Sequence, residues 1–323
     1  MTHLNKNLLK NILKVIIGIS LILYLLNKID LQTLSSSIKG GSYQVVVIAC
    51  LVFGLTGIFQ GARLYILIKK YGFTFLTSLK VFFISMFFNN LSTVLLGDGY
   101  KVVYLRNRIP NWRSPIAIVF LERFFGLVVI LFIGMIYLIF NYSRILEYSQ
   151  YSNILSKISF NYIIILAAPI LLILLFLLRN RFKKVYLHFI QFFGEVKKIV
   201  LELPSYSLYL IIILTLFTHL LVAFKMYLLV KAFQNNILYV DTIFVILLVF
   251  IASYLPITIG ALGVREGILI LGFTYLGVTQ PIAIVVAFVS RIIIYFYAIL
   301  GGVLFLFMKK KQLDSVKVDS IKL

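Results

Sequence analysis

The thirteen residues Tyr254-Leu255-Pro256-Ile257-Thr258-Ile259-Gly260-Ala261-Leu262-Gly263-Val264-Arg265-Glu266 constrain the fold more than any other part of the chain. They lie between two strongly apolar runs, yet carry a proline, two glycines and an adjacent Arg-Glu pair. Lipid offers no hydrogen bonds to an interrupted backbone, so such a break survives only inside protein or against a polar cavity. Ionisable side chains there cost roughly 2.5–3.5 kcal/mol each even on a lenient insertion scale, which makes them functional candidates by default. The stretch reads as a discontinuous membrane element lining a site.

A related stretch lies 164 residues earlier. Leu91-Ser92-Thr93-Val94-Leu95-Leu96-Gly97-Asp98-Gly99-Tyr100-Lys101 aligns without gaps on Leu255 to Arg265, with Leu91 on Leu255, Gly99 on Gly263 and Lys101 on Arg265. Each copy is followed by proline (Pro110 or Pro115; Pro281) and then an apolar helix holding one arginine, Arg123 or Arg291. Paired interrupted segments are the sequence mark of internally repeated transporters.

Apolar residues make up 62% of the 323 and charged residues only 13%. A soluble domain of this size cannot hide so much apolar surface, so the chain is expected to be an all-α polytopic membrane protein. Its net charge of +21 is then read by position, because basic loops mark the cytoplasmic side of a membrane. No soluble domain remains to serve nucleic acid, and none is expected as a partner. Cys50 is the only cysteine, and His3, His188 and His219 have no ligand spacing, so neither a disulfide framework nor a metal or other cofactor is expected. Lysines 6, 10 and 14 accompany the apolar segment Ile12 to Leu26, after which no small-residue cleavage site follows. That pattern predicts an uncleaved first helix.

Charge decides which apolar runs cross. The runs are 11–27, 44–68, 77–97, 114–140, 160–178, 206–232, 239–257, 264–279 and 281–308, and Lys and Arg cluster at 6–14, 69–80, 101–113, 179–198 and 309–322. If 77–97 crossed, two of those clusters would face outward against the positive-inside bias. If it enters from the cytoplasm and returns, all five become cytoplasmic. The same argument makes 239–279 start and end outside. The expected fold is six full transmembrane helices plus two re-entrant hairpins, about 77–100 and 239–279, entering from opposite faces as an inverted repeat. Their breaks are expected at Asn89, Asn90, Gly97 and Gly99, and at Pro256, Gly260 and Gly263. Residues 1–311 form one transmembrane domain, and the polar tail 312–323 is expected to be irregular. Arg181 to Leu203 has the spacing of an amphipathic helix, on the cytoplasmic lipid surface or packed on the bundle. Gly54, Gly57 and Gly61 place small residues on one face of the second span, which favours close helix packing.

The intramembrane ionisable set is Asp98, Lys101, Glu122, Arg123, Lys225, Arg265, Glu266 and Arg291. Arg123 and Arg291 both reach the centre of a ~30 Å slab, from opposite faces. One reading is internal salt bridging, with Asp98, Glu122 and Glu266 as charge partners. The other notes that cations outnumber acids, so that a bound anion supplies the missing charge. Phosphate suits arginine's forked donors, and half-helix N-termini after Gly97-Asp98-Gly99 and Gly260 to Gly263 would add N–H groups. On this reading Lys101, Arg123, Arg265 and Arg291 bind a lipid head group. Lys225 and Arg63 are weaker candidates, free to snorkel to the interface. No zinc spacing, nucleophile elbow or nucleotide loop is present, so no catalytic residue and no enzymatic activity are expected.

The blocks Phe88-Asn89-Asn90-Leu91…Gly97-Asp98-Gly99-Tyr100-Lys101, Phe120-Leu121-Glu122-Arg123-Phe124-Phe125-Gly126 and Leu255-Pro256…Gly260-Ala261-Leu262-Gly263-Val264-Arg265-Glu266-Gly267, with Arg291 beyond, resemble the flippase-like family, the transmembrane region of lysylphosphatidylglycerol synthases such as the multiple peptide resistance factor. The resemblance covers nearly the whole chain. It implies translocation of a lipid with a charged or glycosylated head group across the cytoplasmic membrane of a prokaryote, with both termini cytoplasmic. Ser92 stands where the matching position of the second copy has Pro256. The chain stops at Leu323 without a soluble aminoacyl-transferase domain, so lysyl transfer is not expected. The leading expectation is flipping of an anionic or glycosylated lipid, phospholipid or polyprenyl-phosphate-linked. The alternatives are a non-transporting lipid-binding partner of a membrane glycosyltransferase, and an enzyme acting on a lipid phosphate. Candidate partners are the anionic lipid, a membrane glycosyltransferase or lipid-modifying enzyme, and a second copy of the chain.

Overall fold

The structure, a computed structural model, describes residues 39–91, 94–109, 111–151, 182–233, 236–253 and 261–321, with backbone alone at 94–95, 142–151, 182–189 and 309–321. The expected first helix, the run 160–178, Ser92, and the stretch 254–260 with Pro256 and Gly260 lie outside the described residues. Among the described residues every regular element is helical: α1 (Tyr43–Ile68), α2 (Phe75–Leu91), α3 (Val94–Arg106), α4 (Arg113–Tyr151), α5 (Phe182–Glu202), α6 (Ser205–Ala232), α7 (Tyr239–Ser253), α8 (Val264–Tyr275) and α9 (Gln280–Ile321). Four stretches are long and apolar enough to cross a membrane: Tyr43–Tyr71, Arg113–Asn141, Ser205–Ala232 and Gln280–Met308. The apolar helices α2 and α7 have 17 and 15 residues. At 1.5 Å per residue they are about 22–26 Å long, short of a ~30 Å hydrocarbon core.

Contacts fix which helix ends lie together. The Ser42 N–H donates to the Ala232 carbonyl at 2.7 Å, so α1 begins where α6 ends. At the far end of α1, Lys70 bonds Glu202 and Arg108 donates to the carbonyl of Gly72. Gly72, at φ 75°, turns the chain from α1 toward α2, and Arg108 follows α3. The α2–α3 pair therefore leaves and returns at the same end of the bundle. That end also holds the start of α4, where Arg113 donates to Gln191 of α5 at 2.7 Å. The α7–α8 pair belongs to the opposite end. It starts after Ala232, and Tyr137, far along α4, donates to Asp241 in the first turn of α7 at 2.9 Å. Gly272 of α8 packs on Val245 of α7, and α9 sets out from that end at Gln280.

Two details differ from the sequence reading. Asn89 and Asn90 lie in the last turn of α2, which is described to Leu91, and Gly97 and Gly99 lie inside α3, which is described from Val94. The asparagines bond within the pair instead of breaking it: Asn90 donates to the Met86 carbonyl and Asn89 Oδ1 accepts the Gly97 N–H at 2.9 Å. The helix α9 runs through the polar tail to Ile321, in a segment with neither glycine nor proline to stop it.

Close approach of backbones depends on glycine at two points. A Cβ on Gly97 would lie 2.0 Å from the Ser85 carbonyl oxygen, and one on Gly301 would lie 2.0 Å from that of Phe83. Gly97→Ala is expected to lower the melting temperature of the purified protein by several degrees, at a cost of roughly 1–3 kcal/mol for overpacking. Gly99→Ala, two residues on with open space around it, is expected to leave it unchanged or slightly raised, since alanine favours the helix. Equal effects at the two positions would contradict this packing. Gly57 and Gly61 likewise face Phe83 and Leu79 of α2, the close packing expected of that face of α1.

Two apolar cores result. One, at the foot of the α2–α3 pair, joins Leu64, Leu67, Val81, Leu105, Ile118 and Ile211. The other, at the foot of the α7–α8 pair, joins Met226, Val245, Leu269, Phe273 and Val286. The polar residues gather between them.

Candidate functional site: a charged cavity between the two helix pairs

A cavity of about 290 Å³ is walled by α1, α2, α3, α4, α6, α7, α8 and α9. Lys101, Arg123, Arg265 and Arg291 all line it, as do Asp98, Glu122, Asn89 and Asn90. Residues as far apart in sequence as Lys101, on α3, and Arg291, on α9, thus line one cavity.

Acids bond cations on both sides of the cavity. On the α2–α3 side, Glu122 accepts from Lys101 Nζ at 2.7 Å and from an Arg63 Nη at 3.3 Å. A second Nη of Arg63 donates to Thr215 Oγ1 at 3.3 Å. Adjacent helical residues point about 100° apart, so Arg123 meets a different acid and donates through Nε to Asp98. On the α7–α8 side, Arg291 Nε donates to Glu266 Oε1 at 2.6 Å, and an Nη donates to the Ala261 carbonyl at 3.3 Å. The other Glu266 oxygen accepts the Gly263 N–H at 2.8 Å. This is half of a capping box; Gly263, at φ 79°, has no side chain to complete it. Glu266 therefore consumes one of the N–H groups that a half-helix end would offer an anion. On the other pair, α3 already begins at Val94, so Gly97 to Gly99 present no helix end.

Arg265 is the exception. It lines the cavity and has no hydrogen bond or ion pair among the described residues. Counting Glu266 behind Arg291, the described residues of the cavity include five cations (Arg63, Lys101, Arg123, Arg265, Arg291) and three acids. Among the described residues the cavity thus holds more cations than acids, and Arg265 is the cation that no acid bonds.

Two cavity residues carried no strong signal in the sequence. Arg63 does not snorkel; it is buried and turned inward to Glu122. His219 is buried against Phe250, with its ring Nε2 2.9 Å from the Gly126 carbonyl. Lys225 also stays inside, fully buried, but outside the cavity; it donates to Ser290 Oγ at 2.8 Å and sits 5.0 Å from the centre of the Phe53 ring. The gapless match of the two breaks holds for the destination of Lys101 and Arg265 but not for their helical position. Lys101 is two turns into α3, whereas Arg265 is the second residue of α8.

Apolar helices long enough to span, shorter paired helices from both ends and a buried charged cavity between them define a multi-pass membrane protein with an internal polar site. The chain belongs to the family of the lysylphosphatidylglycerol synthase transmembrane region, whose model matches residues 11–301. No curated protein and no solved structure was found to match it.

Proposed function

We propose that this chain flips an anionic lipid, phospholipid or polyprenyl-phosphate-linked, across the cytoplasmic membrane of a prokaryote, without a covalent step. In this reading the chain has six full spans, and the α2–α3 and α7–α8 pairs are re-entrant hairpins of an inverted repeat, with both termini cytoplasmic. The observation that carries it is Arg265, which no acid bonds among the described residues, in a cavity whose described lining, with Glu266, has two more cations than acids. A phosphate supplies the missing charge and accepts guanidinium's paired donors, while the acyl chains stay in the bilayer. Membership of a family named for a phospholipid synthase's membrane region supports a lipid as the cargo.

Reconstitution into liposomes carrying a head-group-labelled anionic phospholipid tests it. Added protein is expected to expose inner-leaflet label to an outside quencher. Binding without that exposure would assign the chain to a lipid-holding partner of a glycosyltransferase, and altered lipid product would make it an enzyme. The topology has its own test. Asn107, exposed beside the Arg108–Gly72 contact, is changed to cysteine in a Cys50→Ala background. Labelling is expected only after the cytoplasmic face is opened; labelling of intact cells from outside would contradict the re-entrant hairpin.

A further inference from the structure

Three carboxylates bond cations of the cavity, and one of them is held differently from the others. Glu122 accepts through one oxygen from Lys101 and through the other from Arg63. Glu266 accepts through one oxygen from Arg291 and through the other from the Gly263 N–H. No side chain in these ion pairs is more than 8% exposed. Asp98 has one bond among the described residues, at Oδ2 from Arg123 Nε, and the two side chains are 14% and 32% exposed. Both residues line the cavity. Arg123 lies ten residues into α4 from Arg113, about 15 Å at 1.5 Å per residue, which is the middle of a ~30 Å hydrocarbon core. A charge turned to lipid at that depth is costly, so the accessible surface of this pair is cavity surface.

The two kinds of pair respond differently to an entering anion. Breaking a fully buried pair strands a charge in low dielectric, whereas a pair that water reaches is weakly held. A carboxylate and a phosphodiester each carry one negative charge and each accept from a guanidinium edge. A phosphodiester can therefore take the place of Asp98 on Arg123 with the charge around the arginine unchanged. The displaced carboxylate stays in a cavity whose described residues, with Glu266, carry two more cations than acids, so a singly charged head group still leaves cations in excess.

We infer that Asp98 is an exchangeable counter-anion: the head-group phosphate displaces it from Arg123, which makes Arg123 a second phosphate station in the same cavity as Arg265. The inference rests on the lipid-flipping reading above and says how that cavity lets its anion go. Arg265 is on α8 and Arg123 is tied to α3, so the two stations belong to different helix pairs. Between passages Asp98 takes the place of the substrate on Arg123, and its return pushes the phosphate off. Passage through a site needs this weakness, since an anion bound too firmly is not passed on.

The full chain is purified in detergent, and binding of an acyl-labelled phosphatidylglycerol probe is compared for wild type, Asp98→Asn, Asp98→Ala and the double variant Asp98→Asn/Arg123→Lys. Both single variants are expected to bind about fivefold tighter than wild type, the worth of a partly exposed ion pair that no longer competes. Reconstituted at equal density, they are expected to translocate the probe more slowly than wild type, since no carboxylate returns to Arg123. The double variant keeps the cation but not its two parallel donors, and is expected to lose the gain in affinity. A gain that survives in the double variant comes from net charge alone and overturns the station at Arg123. Unchanged or weaker binding by a folded single variant overturns the exchange. So does failure of both single variants to fold, which would make Asp98 a structural acid like Glu122. Translocation at the wild-type rate by a tighter-binding variant overturns the role in release. Inorganic phosphate is expected to displace the probe only at far higher concentration than unlabelled phosphatidylglycerol; equal potency overturns a lipid as the source of the phosphate. No probe binding by wild type would overturn the lipid-substrate reading itself, which an unchanged affinity in the Asp98 variants leaves intact.

Discussion

Glu122→Ala is expected to cost the protein most of its stability. The carboxylate is 3% exposed and accepts hydrogen bonds from Lys101 and Arg63, themselves 6% and 7% exposed. Its removal leaves two cations facing each other in low dielectric with no acid bonded to either. Breaking one buried pair costs roughly 3–5 kcal/mol, against a total of about 5–15 kcal/mol for a folded domain. Three elements lose their tie at once, because Arg63 is on α1, Lys101 on α3 and Glu122 on α4. Membrane yield should fall sharply and the melting temperature of any purified protein should drop by ten degrees or more. Arg123→Ala is expected to cost less, since its side chain is 32% exposed and that of its partner Asp98 14%, so water can reach the acid left behind. An Arg123→Ala protein less stable than Glu122→Ala would contradict this division of labour.

Arg265→Ala is expected to do the reverse: fold normally and lose its ligand. No acid among the described residues bonds Arg265, so removing it orphans no partner and reduces the crowding of cations around Arg291. A charge-assisted bond to an anion contributes about 1.5–3 kcal/mol, which corresponds to roughly a ten- to hundredfold loss of affinity for an anionic head group. Arg265→Lys should not restore it, because an ammonium is a point charge and cannot offer two parallel donors.

Composition and charge position carried much of this fold. The cluster 101–113 looked misplaced if the apolar run before it crossed the membrane, and Arg108 on the Gly72 carbonyl is the contact that brings it back beside 69–80. The four cations proposed for the site meet in one cavity because an apolar helix exposes few other groups for a buried charge to join. Pairing was harder to read. Arg63 lies near the end of its apolar run, where a local reading favours snorkelling, and contacts 59 and 152 residues away in sequence, to Glu122 and Thr215, hold it inward. His219 has no neighbour in sequence that marks it; its surroundings come from Gly126, Phe250 and Arg63 on three other helices. Asparagine in an apolar run reads as a helix breaker, yet Asn89 and Asn90 lie within α2. With a partner across the turn, Asn89 instead ties α2 to Gly97.

The proposed function requires that Arg265 serve a moving anion. Wild type, Arg265→Ala and Arg265→Lys are reconstituted at equal protein density in liposomes with head-group-labelled phosphatidylglycerol. The rate at which inner-leaflet label becomes accessible is measured beside each protein's melting temperature. The expected result is translocation by wild type, none above protein-free liposomes for either variant, and melting temperatures within a few degrees of one another. An Arg265→Ala protein that is equally stable and moves the lipid at the wild-type rate would contradict it.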